Sequence, residues 1–192
     1  MKHAPMIFGC CALPLSAMGT VELDQSNPYP GGFVGSSSNG VQQGITTQRQ
    51  GRLHAVRLWL NASGFPGEIA EGRVSIWFGE PWQSGAPALT VDIEHPTDGG
   101  TVPVLVDLWE ADVSVSHGER LTLGLERTSL GPTIQFGVTT TDSYPEHRLW
   151  GGGQPWSSST TDMAFELYID TPAPGTIGAF GLAGAFCLRR RR

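Results

Sequence analysis

The chain has 192 residues, 39% of them apolar, with 12 basic and 18 acidic side chains and a formal net charge of −6, enough sequence for one well-buried core. All 18 acidic residues lie within positions 20–170, where the only basic side chains besides histidine are 7 arginines, so that stretch carries a formal charge of −11. A surface this acidic excludes nucleic acid as a partner, because phosphate contacts need basic patches, and it suits solubility and divalent cations.

Lys2 and His3 precede a mostly apolar stretch, residues 4–15, and Ala17 and Gly19 are small enough to follow with a cleavage point. Residues 1–19 are therefore expected to be a secretory signal peptide. A lipoprotein signal cut before Cys10 has too little apolar sequence ahead of it, and a buried first strand is the remaining alternative. Residues 20–40, rich in Asn, Pro, Gly and Ser, are expected to be an irregular entry segment.

From residue 41 to 170 the hydrophobic period is two, and no helical period is present. Strands are expected over residues 41–48, 53–60, 73–78, 88–93, 102–109, 121–125, 133–138 and 163–169, with a short piece at Val113 and Val115. Val56, Leu58 and Leu60 are expected to point inward, as are Val74, Ile76 and Phe78, then Leu121, Leu123 and Leu125, then Met163, Phe165, Leu167 and Ile169. Thr97-Asp98-Gly99-Gly100 and Ser116-His117-Gly118-Glu119 are turn signals. Strands with one apolar and one polar face belong to antiparallel sheets that meet a core on one side and water on the other. The fold class expected is all-β: an antiparallel β-sandwich, jelly-roll-like, flanked by the signal peptide and by a short C-terminal hydrophobic helix. All three cysteines, Cys10, Cys11 and Cys187, lie in the end segments, so no disulfide supports the body.

Residues 171–192 are a different kind of sequence. Pro172-Ala173-Pro174 is followed by an uncharged run to Leu188 and by Arg189, Arg190, Arg191 and Arg192. Residues 172–188 are near the lower length limit of a membrane span, and the terminal arginines would hold its far end on the cytoplasmic side. This order resembles the C-terminal sorting signal of PEP-CTERM surface proteins of Gram-negative bacteria, in which a Pro-Glu-Pro motif precedes a short membrane segment and an arginine-rich end. Ala173 stands where that motif has Glu. The resemblance implies an exosortase, a membrane protease, as partner, membrane insertion through the tail before processing, and delivery to the cell surface, outer envelope or extracellular matrix. The body is also similar to the β-sandwich domains that accompany such tails. The matching pieces are Gly51-Arg52-Leu53, Val56-Arg57-Leu58-Trp59-Leu60, Gly85-Ala86-Pro87, His117-Gly118-Glu119, Tyr144-Pro145 and the stretch from Asp162 to Tyr168. Such domains mostly have no assigned activity.

The residues offer little for catalysis, and no enzyme activity is expected. No Gly-x-Ser-x-Gly elbow is present, and His54, His95, His117 and His147 are scattered singly. Glu94, Asp107, Glu110 and Glu166 read as a water-facing acidic surface in preference to a glycosidase pair. No cofactor is expected; the metal the residues best allow is calcium, with either Asp98 at the Gly99-Gly100 turn, or Asp107, Glu110 and Asp112 together, as candidate ligands. Trp59, Trp77 and Trp109 fall on expected strands and read as packing residues. Trp82, Trp150 and Trp156 fall in Gly/Pro/Ser-rich loops. With Tyr144, His147 and Arg148 they form the candidate glycan-binding set, since sugars stack on flat rings while polar groups meet their hydroxyls. The expected role is structural or adhesive, and the alternative is a carbohydrate-binding module that takes extracellular polysaccharide on these loop aromatics.

Overall fold

The computed structural model describes residues 19–31, 34–36, 40–82, 85–140, 147–156 and 160–172. The signal-peptide segment and most of the C-terminal tail, including Ala173, Pro174 and Arg189 to Arg192, lie outside the described residues. No helix among the described residues is long and apolar enough to cross a membrane.

Residues Val21–Thr171 form one compact, all-β unit. Its strands are β1 (Thr20–Asn27), β2 (Val34–Ser36), β3 (Val41–Thr46), β4 (Gly51–Ser63), β5 (Ile69–Phe78), β6 (Leu89–Pro96) and β7 (Val102–Asp107), then β8 (Ser114–Val115), β9 (Arg120–Arg127), β10 (Thr133–Thr139), β11 (Leu149–Gly151), β12 (Gln154–Pro155), β13 (Asp162–Met163) and β14 (Phe165–Thr171). They make two antiparallel sheets. The first runs β1-β14-β4-β10-β13, with β7 and β8 also on β4 and β2 on β10; the second runs β12-β11-β3-β9-β5-β6. The chain repeatedly changes sheet: β3 lies in the second, β4 in the first, β5 and β6 in the second, β7 and β8 in the first, β9 in the second, β10 in the first.

The core lies between the inner faces. In the first sheet Leu58 pairs with Phe165, Val56 with Leu167, and Leu60 with Phe136, all fully buried. In the second, Val74 pairs with Leu125 and Ile76 with Leu123. Period two would send Leu53 to the opposite face from Val56. The register of β14 on β4 shifts between Tyr168 and Ile169, leaving β4 one residue longer there, and this bulge returns Leu53 to the core.

Two buried amides hold β13, one of them across the layers. Gln43 is fully buried on the inner row of β3; its Oε1 accepts the Met163 N–H at 3.0 Å and its Nε2 donates to the His147 carbonyl at 3.2 Å. Asn27 Nδ2 donates to the Met163 carbonyl at 2.7 Å. The two-residue strand β13 thus has both backbone groups of Met163 held by side chains, one from each sheet.

The strands expected from residue 41 onward are present, and three differences stand out. The segment 20–40 is not wholly irregular: it carries β1 and β2. In β1 the buried side chains are Asp24, Gln25 and Asn27, whereas Val21 and Leu23 are exposed, so no apolar alternation marks it. Trp109 is not on a strand, because the chain leaves β7 at Asp107 and makes a 3-10 turn over Trp109–Ala111. Phe78, expected inward, is exposed at the end of β5.

Asp24 is nearly buried, and its carboxylate accepts the Gln48 N–H at 3.0 Å. Burial raises its pKa above the usual 3.8, against the lowering effects of the Gln48 and Arg49 amides and of the Arg49 and His117 charges. The folded state therefore binds this proton more readily than the unfolded state, and stability from this group rises as pH falls through the raised value toward 3.8. Urea unfolding at neutral pH and near 3.8 should show the native chain gaining stability relative to Asp24→Asn at the lower pH. Gln43→Leu leaves the Met163 N–H without its acceptor and should cost about 1–3 kcal/mol in the same measurement.

Candidate functional site

Period two on the second sheet sends Leu121, Leu123 and Leu125 inward and Thr122, Gly124 and Glu126 outward. On β5 it sends Val74 and Ile76 inward and Arg73, Ser75 and Trp77 outward. The pairings then fix an outer surface: Gln42 opposite Gly124, Gly124 opposite Ser75, Thr122 opposite Trp77, and Trp150 opposite Gln42. This surface is indented. A recess of about 200 Å³ opens on it, lined by Trp77, Trp82, Gln42, Gly124, Glu126 and Arg127 among others.

Missing side chains make room for the rings. A Cβ on Gly124 would stand 2.5 Å from Trp77 Cζ3, so the indole edge lies where a side chain would be. A Cβ on Gly153 would stand 2.9 Å from Trp82 Nε1, and one on Gly40 would be 3.7 Å from Trp82 Cη2. Trp82 adopts a left-handed backbone (φ 59°), which costs a bulky residue about 1–3 kcal/mol. Its N–H donates to Gln42 Oε1 at 2.6 Å, and this bond offsets part of that cost and fixes the ring's position. The Trp82 indole N–H is buried with no acceptor among the described residues.

The recess brings together only part of the set expected from sequence. Trp82 lines it, and Trp150 lies half-buried on the same outer surface beside Gln42. Trp156 packs against the core instead, its ring centroid 5.9 Å from Phe136 and its indole filling the space above Gly151. His147 is buried over Gly44, with Nε2 2.6 Å from Thr46 Oγ1. Arg148 is exposed, and Tyr144 lies outside the described residues. Trp77, read as a core or sheet-face packing residue because it falls on a strand, is half-buried on the outer face and is the second aromatic of the recess.

The aspartates among the candidate calcium ligands are placed separately. Asp98 is exposed in the β6–β7 turn. Asp107 Oδ1 accepts the Trp109 N–H at 2.8 Å, and Asp112 pairs with Arg52 at 3.1 Å. Among the described residues no group of three or more His, Cys, Asp or Glu comes together to hold a metal ion. Arg52 is itself stacked 3.6 Å from the Trp109 ring centroid, which His54 also approaches at 5.6 Å. Of the acidic residues weighed for hydrolysis, Glu166 accepts Arg57 at 2.6 Å and the Tyr168 hydroxyl at 2.5 Å. Burial, and then the Glu166 carboxylate, push the Tyr168 hydroxyl pKa upward. Glu94 pairs across strands with Glu71, and both are exposed.

No family model matches this chain, and no match is found among curated proteins.

The recess depends on Gly124. In Gly124→Ala the new methyl group meets a rigid indole, so Trp77 must move. The variant should lose about 1–3 kcal/mol in thermal unfolding and change the near-UV circular dichroism of the tryptophans, whereas Gly131→Ala, with only the Ser129 hydroxyl nearby at 3.5 Å, should leave that spectrum as it is.

Proposed function

We propose that this chain is an exported protein of the cell surface, outer envelope or extracellular matrix of a Gram-negative bacterium. Its C-terminal tail delivers it there, and it has an adhesive, non-enzymatic role exerted through the recess on the second sheet. The observation that carries the adhesive reading is the pairing of Trp77 and Trp82 on an outer sheet face, above backbone kept bare at Gly124 and Gly40. Rings held at a surface in this way suit contact with a partner. Of the histidines and carboxylates weighed for catalysis, His147 is tied to Thr46, and Glu166 to Arg57 and Tyr168.

The repeated change of sheet from β3 to β10 supports a jelly roll among sandwich topologies, since Greek-key connections of that kind cross from one sheet to the other. The order Pro172-Ala173-Pro174, apolar run, Arg189 to Arg192 supports sorting by an exosortase-like membrane protease, with the tail as a helix in the membrane beforehand. The carbohydrate-binding alternative remains, and its aromatics become Trp77 and Trp82 in place of Trp150 and Trp156.

The test is the intact mass of the surface-associated protein from its native host, beside a strain lacking the sortase. The expected result is loss of the N-terminal segment and a sortase-dependent cut near Pro174. A mature chain still carrying Arg189 to Arg192 would overturn the sorting assignment.

A further inference from the structure

The recess is lined by Trp77, Trp82, Gln42, Glu126 and Arg127 among others, around about 200 Å³. That is smaller than the ~300–1,000 Å³ of sites that enclose drug-sized ligands, so one small ring fits and a nucleotide or folded peptide segment does not. One edge of each indole is seated on backbone, Trp77 over Gly124 and Trp82 against Gly153 and Gly40, and the part of each ring that lines the recess is what a guest meets. Polar groups of both kinds line the space: Glu126 carries an acceptor, and Gln42 has its Nε2 donor after its Oε1 has taken the Trp82 N–H; Arg127 also stands in the wall, with its Nη1 turned to the Gly131 carbonyl at 3.4 Å and the Thr133 hydroxyl at 3.2 Å.

We infer that the recess binds an uncharged saccharide unit, with a sugar ring face against the Trp77 or Trp82 indole and its hydroxyls hydrogen-bonded by Gln42 and Glu126. The inference rests on the adhesive reading of this same surface and names its ligand class. A pyranose ring has an apolar C–H face and an edge of hydroxyls that both donate and accept, which is the mixture the lining offers. Two competing ligand classes fit less well. A quaternary ammonium group is drawn to aromatic faces and to Glu126, but the Arg73 guanidinium already stands 4.0 Å from that carboxylate and opposes a second cation there. An acidic polysaccharide is attracted by Arg127 but meets Glu126 and a body with a formal charge of −11. Glu126 has the Arg73 guanidinium 4.0 Å away, and an uncharged ligand loses nothing to the field of the rest.

The experiment uses the full chain in a detergent without a sugar headgroup. Isothermal titration calorimetry is run with gluco-, xylo-, manno- and chito-oligosaccharides, with alginate oligomers and choline as the charged probes. At least one neutral oligosaccharide should bind, while alginate and choline do not. Trp77→Ala and Trp82→Ala should each weaken that binding at least tenfold, and Trp77→Tyr should retain part of it. Trp109→Ala, in the 3-10 turn after β7 and beside Arg52, should leave it unchanged. Far-UV circular dichroism and the thermal midpoint of each variant separate lost binding from lost folding. Binding of alginate or choline alone, or neutral binding that survives both tryptophan variants, overturns the inference. So does the absence of any neutral ligand in the panel. A parallel assay of whole-cell attachment to native matrix separates this outcome from failure of the adhesive reading. If Trp77→Ala and Trp82→Ala abolish attachment while no sugar binds, adhesion stands and the saccharide does not. If attachment is unaffected, adhesion through the recess falls as well.

Discussion

Strand β4 is the member on which the others depend. Thirteen residues long, it pairs with β7, β8, β10 and β14, and among the described residues those four strands have no other common partner. Its inward residues Leu53, Val56, Leu58 and Leu60 are fully buried against the opposite sheet. Each buried leucine of this kind contributes about 1.5–3 kcal/mol of transfer free energy. With no cysteine between positions 20 and 170, these contacts and the hydrogen-bond ladders replace covalent ties. A change that slipped β4 by one residue would turn the whole inward set toward water, so register and core specify each other.

The layers are also pinned by polar groups, and this connects the core to the recess. Gln43 points inward and holds Met163 of the first sheet; Gln42, its chain neighbour, points outward and holds the backbone of Trp82. Two consecutive glutamines on one strand therefore serve opposite faces, one fixing how the sheets stack and the other fixing an aromatic at the surface. Since β3 cannot shift without moving both, the position of Trp82 is coupled to the register of β3 on β9.

Most of the sandwich was legible in the sequence because its inner faces obey a strict period of two, as in Leu121, Leu123 and Leu125 or Met163, Phe165, Leu167 and Ile169. What escaped had a different physical basis. Strand β1 is held by buried Asp24, Gln25 and Asn27, whose partners lie far along the chain, so nothing local announces a strand. Strands β11 and β12 are too short for a pattern. At the candidate site, Trp82 was found through its loop setting, whereas Trp156 shared that setting and turned into the core under Gly151. Trp77 carried a usable signal: it shares the outward face of β5 with Arg73 and Ser75, and a tryptophan on a water-facing row asks for a reason. The matching signal on β9 is Gly124, a residue without a side chain between Thr122 and Glu126.

Gly124 and Gly153 shape the surface by what they leave out, and this makes fold and recognition unequal in mutational tolerance. A sandwich with so many buried aliphatics absorbs single outward substitutions readily. The recess does not, since one added carbon at Gly124 stands 2.5 Å from an indole. Drift in such a chain should therefore erase the binding surface long before it erodes the architecture. Descendants would keep the sandwich and lose the indentation, and a survey of variants by shape alone would group together molecules that no longer share a ligand.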